Sequence, residues 1–261
     1  MRGRWLAAWL PMAIASAVFA GAGVDSREIA EELKALEDPT ILKRRAWLDT
    51  EWNRFRDSSN DFSLTAGGLW AWRVSDSQDW AVRLKVPVEF HVAGDTVGDS
   101  NEQGLGDLKL AAGTAWRLSA SHRAAVGLEM RFPTATNNLG ANVWRPMLFG
   151  TAAWDLTPTI TFSPSVEYNQ STKELRGAAP QHFVEMFFPV TFLLPQRWAV
   201  TPRYEAKVDF ANDDRVTHSA KLTATRRLED LPIGLALSIK KSFDGGEKRF
   251  QINFVTTYYF R

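Results

Sequence analysis

The stretch Asp79–Val92, DWAVRLKVPVEFHV, decides how this chain folds. Trp80, Val82, Leu84, Val86, Val88 and Phe90 fall on one face of a period-two pattern. Arg83, Lys85, Glu89 and His91 fall on the other. Successive side chains of an extended strand point to opposite faces, so the segment reads as a strand with one apolar and one polar side. Strands of soluble sheets usually run about 5–6 residues. This alternation is far longer, and a tilted strand needs about 9–11 residues to cross a bilayer.

The pattern recurs almost to the end of the chain. In RWAVTPRYEAKVDF, Trp198, Val200, Pro202, Tyr204, Ala206, Val208 and Phe210 alternate with Arg203, Glu205, Lys207 and Asp209. In RFQINFVTTYYF, Phe250, Ile252, Phe254, Tyr258 and Phe260 alternate with Gln251, Asn253, Thr257 and Tyr259. Division at turn signals predicts about twelve strands, at 44–56, 61–74, 78–91, 105–118, 121–133, 142–156, 158–170, 181–194, 196–210, 216–228, 231–243 and 246–260. Tight connections alternate with longer polar ones. This pattern points to an all-β fold, a transmembrane antiparallel up-and-down β-barrel, with both termini on the short-turn, periplasmic side.

The tryptophans support this reading independently. Trp72, Trp80, Trp116, Trp154 and Trp198 each lie close to a predicted tight turn and on the apolar face, where an interfacial aromatic girdle belongs. The alternating end, NFVTTYYFR, has the form of the terminal strand recognised by the outer-membrane assembly machinery, except that Arg261 follows the last aromatic residue. The expected partners are therefore that machinery, outer-membrane lipid and lipopolysaccharide, and the expected location is the bacterial outer membrane.

The N-terminus has a separate character. Arg2 and Arg4 precede the apolar run Trp5–Phe19 and a set of small residues, so residues 1–22 read as a secretory signal peptide. Residues 23–43 read as a lead-in with one short amphipathic helix. Ile29, Leu33 and Leu36 share a face, Asp25 is placed to cap, and Pro39 ends the helix. This helix is expected either to remain as a periplasmic lead-in or, in a sharper reading, to enter the barrel as a plug. Residues 44–261 are expected to form the barrel.

Lys and Arg total 31 against 30 Asp and Glu, a formal net charge of +1, so no overall pull toward nucleic acid is expected. Cysteine is absent, which excludes disulfides and thiolate metal sites. His218 and Ser219 are adjacent in a strand and would point to opposite faces, so they cannot act as a base–nucleophile pair. No histidine has neighbouring ligands at metal spacing, and no cofactor is expected. The informative surface is the inward polar face. Its pathway candidates are Arg83, Lys85, Glu89, Asp107, Lys109, Glu129, Arg131, Arg145, Glu167, Arg203, Glu205 and Lys207. About eight strands give a filled interior and about sixteen an open channel, so about twelve predict a narrow or partly plugged pore.

Three stretches carry a family resemblance: GLGDLKLAAGTAWRL (104–118), HRAAVGLEMRFPTATNN (122–138) and TAAWDLTPTITFSPSVEYNQ (151–170). With the terminal Tyr258-Tyr259-Phe260, they resemble the family of outer-membrane transporters named for the meta-pathway of phenol degradation. The resemblance implies a barrel that passes small molecules, among them aromatic or hydrophobic ones, and implies no catalytic residues. The alternatives are a barrel enzyme acting on lipid or lipopolysaccharide and a closed structural barrel. Within the resemblance, Gly104 and Gly106 are expected to let an outer loop bend into its strand. Asp107 is expected at the mouth, as a structural ion pair or a selectivity element.

Overall fold

The computed structural model describes residues 26–55, 58–94, 100–136, 139–243 and 248–260. The proposed signal peptide, its cleavage site and Asp25 lie outside them. Helix α1 spans Ser26–Lys34. The strands are β1 Arg45–Phe55, β2 Asn60–Ser75, β3 Gln78–Val92, β4 in two pieces Glu102–Leu105 and Leu108–Arg117, β5 His122–Phe132 and β6 Val143–Thr157. They continue with β7 in two pieces Ile160–Phe162 and Ser165–Gln170, β8 His182–Leu194, β9 Trp198–Asp209, β10 Arg215–Arg227, β11 Ile233–Ser242 and β12 Lys248–Tyr259. Each is antiparallel to its neighbours, and β1 pairs with β12 along its length, which closes a twelve-strand barrel.

The burial pattern is inverted relative to a water-soluble protein. Trp70, Leu118, Leu148 and Leu156 are among the most exposed large apolar side chains, while Thr161, Ser163, Thr191, Thr201, Thr223 and Thr257 are buried. An apolar surface of this extent is unfavourable in water and suited to hydrocarbon, where closure leaves no unpaired strand edge. Trp72 and Trp80 sit opposite each other at one short turn, both exposed on the apolar side. Thr114, which alternation places on the lipid face, is buried. It faces Trp80 across the ladder, and its hydroxyl donates to the Asp79 carbonyl.

Two predicted strands are interrupted. In β7 the break falls at Ser163-Pro164, because proline has no N–H for the ladder; its carbonyl still accepts from Ala152 N at 3.2 Å. In β4 the break falls at Gly106-Asp107, inside the GLGD stretch. Gly104 and Gly106 are not among the residues with positive φ. A Cβ at Gly106 would lie 2.8 Å from Glu89 Cγ, and one at Gly104 would lie 1.9 Å from Thr136 Oγ1. The glycines therefore allow close packing where the loop meets the strand, without a left-handed backbone.

Helix α1 lies against the inner sides of β8, β9 and β10. Ile29 and Leu33 pack on Ala199, with Leu193 beside them. Beyond the helix, Leu42 packs with Trp47 against Leu69, Ala71 and Ala81 on the opposite wall. Of the two readings for this segment, the contacts fit the plug. Its amphipathic pattern serves the barrel interior rather than the periplasm.

Candidate functional site

The plug is fastened by ion pairs to the lumen wall. The Arg227 guanidinium donates to the Glu32 carboxylate, and Tyr259 Oη donates to Glu32 O at 2.7 Å. Lys34 Nζ lies 2.9 Å from Asp155, and Arg123 bridges Asp155 at 2.6 Å and Asp38 at 3.1 Å. These partners come from the short-turn ends of β5, β6, β10 and β12. Glu37 reaches farther along the lumen: Arg203 Nη1 lies at 2.9 Å, Lys221 Nζ at 3.0 Å, and Thr223 Oγ1 donates at 2.9 Å. Buried carboxylates are tolerated because each meets a cation, and Glu37, Asp38 and Asp155 a further donor as well.

Beyond the plug, on the long-loop side, the interior is open. A cavity of about 510 Å³ is lined by Arg145, Gln181, Phe183, Lys207 and Asp209. It adjoins one of about 410 Å³ that shares Lys207 and Asp209 and includes Glu185, Phe187, Glu205 and Lys240. A smaller space of about 80 Å³ separates Pro39, Ile41 and Leu42 of the plug from Ala81, Ala111 and Phe149.

The twelve pathway candidates divide by what they touch. Arg83 donates to Glu129 at 2.7 Å, and Lys85 lies 3.9 Å from the same carboxylate. Arg203 and Lys240 both pair with Glu205, which also accepts from Ser219 Oγ at 3.0 Å. Lys207 pairs with Asp209 at 3.2 Å and sits over the Phe183 ring, 4.1 Å from its centroid. Arg145 covers the same ring and donates to Gln181. Glu89 packs beside Gly106. Lys109 and Glu167 form neither a hydrogen bond nor an ion pair among the described residues, and Glu167 stands opposite Glu185 in the ladder.

Asp107 is placed differently from a mouth selectivity element. Its side chain is buried, and it accepts from Ala141 N at 2.8 Å and Ala135 N at 3.3 Å, with Arg131 Nε 3.5 Å away. It anchors the backbone at Ala135 and Ala141. Sequence reasoning missed the plug residues Glu32, Glu37 and Asp38, whose partners are distant in sequence. It also missed Phe149, an inward aromatic seated on Gly127, where a Cβ would lie 2.3 Å from the ring. The run of small residues facing Phe149 was the available signal.

The adjacent His218 and Ser219 do point apart. His218 Nδ1 meets Tyr204 Oη on the outer surface, while Ser219 faces Glu205 inside. Among the described residues no group of three or more His, Asp or Glu side chains is arranged to hold a metal ion.

A closed barrel with a lipid-suited exterior, a charged lumen and an internal plug defines the class of outer-membrane β-barrels. A family profile described as "Putative MetA-pathway of phenol degradation" matches residues 48–240, and the chain belongs to that family. No curated protein matches the chain by sequence. Among solved structures, an outer membrane channel from Pseudomonas putida F1 is similar at 14% identity with a TM-score of 0.72, covering 84% of this chain and 95% of that one. The CymD monoaromatic hydrocarbon channel is similar at 8% identity and TM-score 0.53, covering 88% and 93%. The NanC porin is similar at 11% and 0.52, covering 82% and 99%. At these identities the likeness is one of fold.

Proposed function

We propose that this protein passes small molecules across the outer membrane through its lumen. The observation that carries the reading is the pair of adjoining cavities, about 510 and 410 Å³, opening on the long-loop side above a plug held by side-chain pairs. A filled structural barrel would not keep such a volume. Passage requires residues 26–43 to shift, because they occupy the short-turn half of the lumen. Family membership and the fold shared with channels and porins support transport over catalysis, and the opposed orientation of His218 and Ser219 weighs against a lipid-cleaving pair. The family's description and the name of the CymD structure support trying small aromatic molecules first as cargo.

Conductance of the full chain in planar bilayers, together with solute release from proteoliposomes, tests this. Discrete openings and release of small solutes are expected. A barrel that stays sealed in both assays, in a strain whose deletion leaves uptake unchanged, would sink the reading.

A further inference from the structure

The inner cations of the outer half of the barrel stand in register. Lys85 lies opposite Lys109 in the ladder, Lys109 opposite Arg131, and Arg131 opposite Arg145. The four come from four adjacent strands, β3 to β6. Like charges directly opposite each other in a sheet are destabilising, and here three such junctions follow in series. Barrel strands tilt by about 35–45°, so a row that crosses them climbs the wall. It runs from Lys85, midway along β3, to Arg145, near the long-loop end of β6 and on the wall of the outer cavity.

The row is poorly neutralised. Glu129 serves Arg83 at 2.7 Å and Lys85 at 3.9 Å. The Asp107 carboxylate serves the amides of Ala135 and Ala141 and pairs with Arg131 Nε only at 3.5 Å. Arg145 meets the neutral Gln181. Lys109 has no hydrogen bond or ion pair among the described residues. The buried Nε atoms of Arg131 and Arg145 have no hydrogen-bond partner. A second in-register row, Arg203, Lys221 and Lys240 on β9 to β11, differs on this point: Glu37 and Glu205 neutralise it. The remaining carboxylates at this level, Glu167 and Glu185, stand opposite each other on β7 and β8 and act on Arg145, and Glu167 on Lys85, at longer range than an ion pair.

We propose that Lys85, Lys109, Arg131 and Arg145 form a ramp for anions, and that the cargo class is a small organic monoanion of the carboxylate type. This rests on the transport reading and narrows it. A single charge suits a ramp that still faces two carboxylates, and the inward rings of Phe183 and Phe187 beside Arg145 and Arg203 give an apolar body a surface.

Titration calorimetry of the full chain in detergent, with benzoate, benzyl alcohol and benzylamine as probes, tests the ramp without requiring conduction. Benzoate is expected to bind at least tenfold tighter than either other probe. Lys109→Gln with Arg145→Gln should weaken benzoate at least tenfold, Lys109→Arg should retain it, and Arg73→Gln, at the opposite rim, should leave it unchanged. Heat-modifiable migration of each variant checks that the barrel has folded. Absent benzoate binding, equal binding of the three probes, or an unaffected double variant overturns the proposal. Tight benzoate binding to a barrel that never conducts would count against transport and leave the ramp standing, whereas conduction without charge preference would remove the ramp alone.

Discussion

Arg227 and Glu32, 195 residues apart in the sequence, meet inside the barrel with side chains that are 1% and 2% exposed. Removing one member of a buried pair leaves the other uncompensated and typically costs about 3–5 kcal/mol. Glu32 belongs to the plug and Arg227 to the wall, so the loss falls on docking and not on the sheet. Glu32→Ala is expected to keep a heat-modifiable barrel, raise its conductance, and expose Lys34 and Lys43 to trypsin. Unchanged proteolysis would show that the plug is held elsewhere.

Glu37, outside the membrane-spanning strands, gives the plug a pH dependence. Burial works against its ionisation, but Lys221 and Arg203, with hydrogen bonds from Lys221 and Thr223, outweigh it and hold the carboxyl below the usual glutamate range. A group whose docked pKa is depressed stabilises docking above the undocked value and loses that contribution as pH falls through the docked one. Conductance should therefore be flat from neutral pH down to the ordinary glutamate range and rise only below it. Glu37→Gln should abolish that rise and give a looser plug at neutral pH. Recordings across pH steps decide the matter.

Asp107→Ala should loosen the outer loop. Two backbone amides lose a buried acceptor, for which about 1–3 kcal/mol is the expected magnitude. Faster proteolysis confined to 133–142, with the barrel itself intact, is the expected result. A gross loss of folding would assign Asp107 a wider role.

Phe149→Ala should enlarge the 80 Å³ space between plug and wall, whereas Gly127→Val should drive the Phe149 ring from its seat. The first is expected to fold with a lower thermal midpoint and larger conductance. The second is expected to lower folding yield, since overpacking costs about 1–3 kcal/mol. Equal yields for Gly127→Val and the parent chain would refute the close contact.

The strand plan was legible because period-two alternation is a local property. The predicted 181–194 and 142–156 differ from His182–Leu194 and Val143–Thr157 by a single residue at the ends. The breaks at Pro164 and Gly106 were less legible, because a strand that loses one ladder bond keeps its alternation. All four ramp residues were readable as inward-facing, yet their alignment was not. Opposition across strands depends on register, which is set by loop lengths and packing rather than by any one strand. The Glu32 and Glu37 pairs were invisible for a related reason: no local pattern links a helix near residue 30 to strands beyond residue 200.

Tyr259, in the final strand, donates its hydroxyl to the carbonyl of Glu32, near the start of the described chain. The strand that seals the cylinder against β1 thus also supplies an anchor for its stopper. One residue of the last seam is therefore shared between the closed wall and the seal inside it.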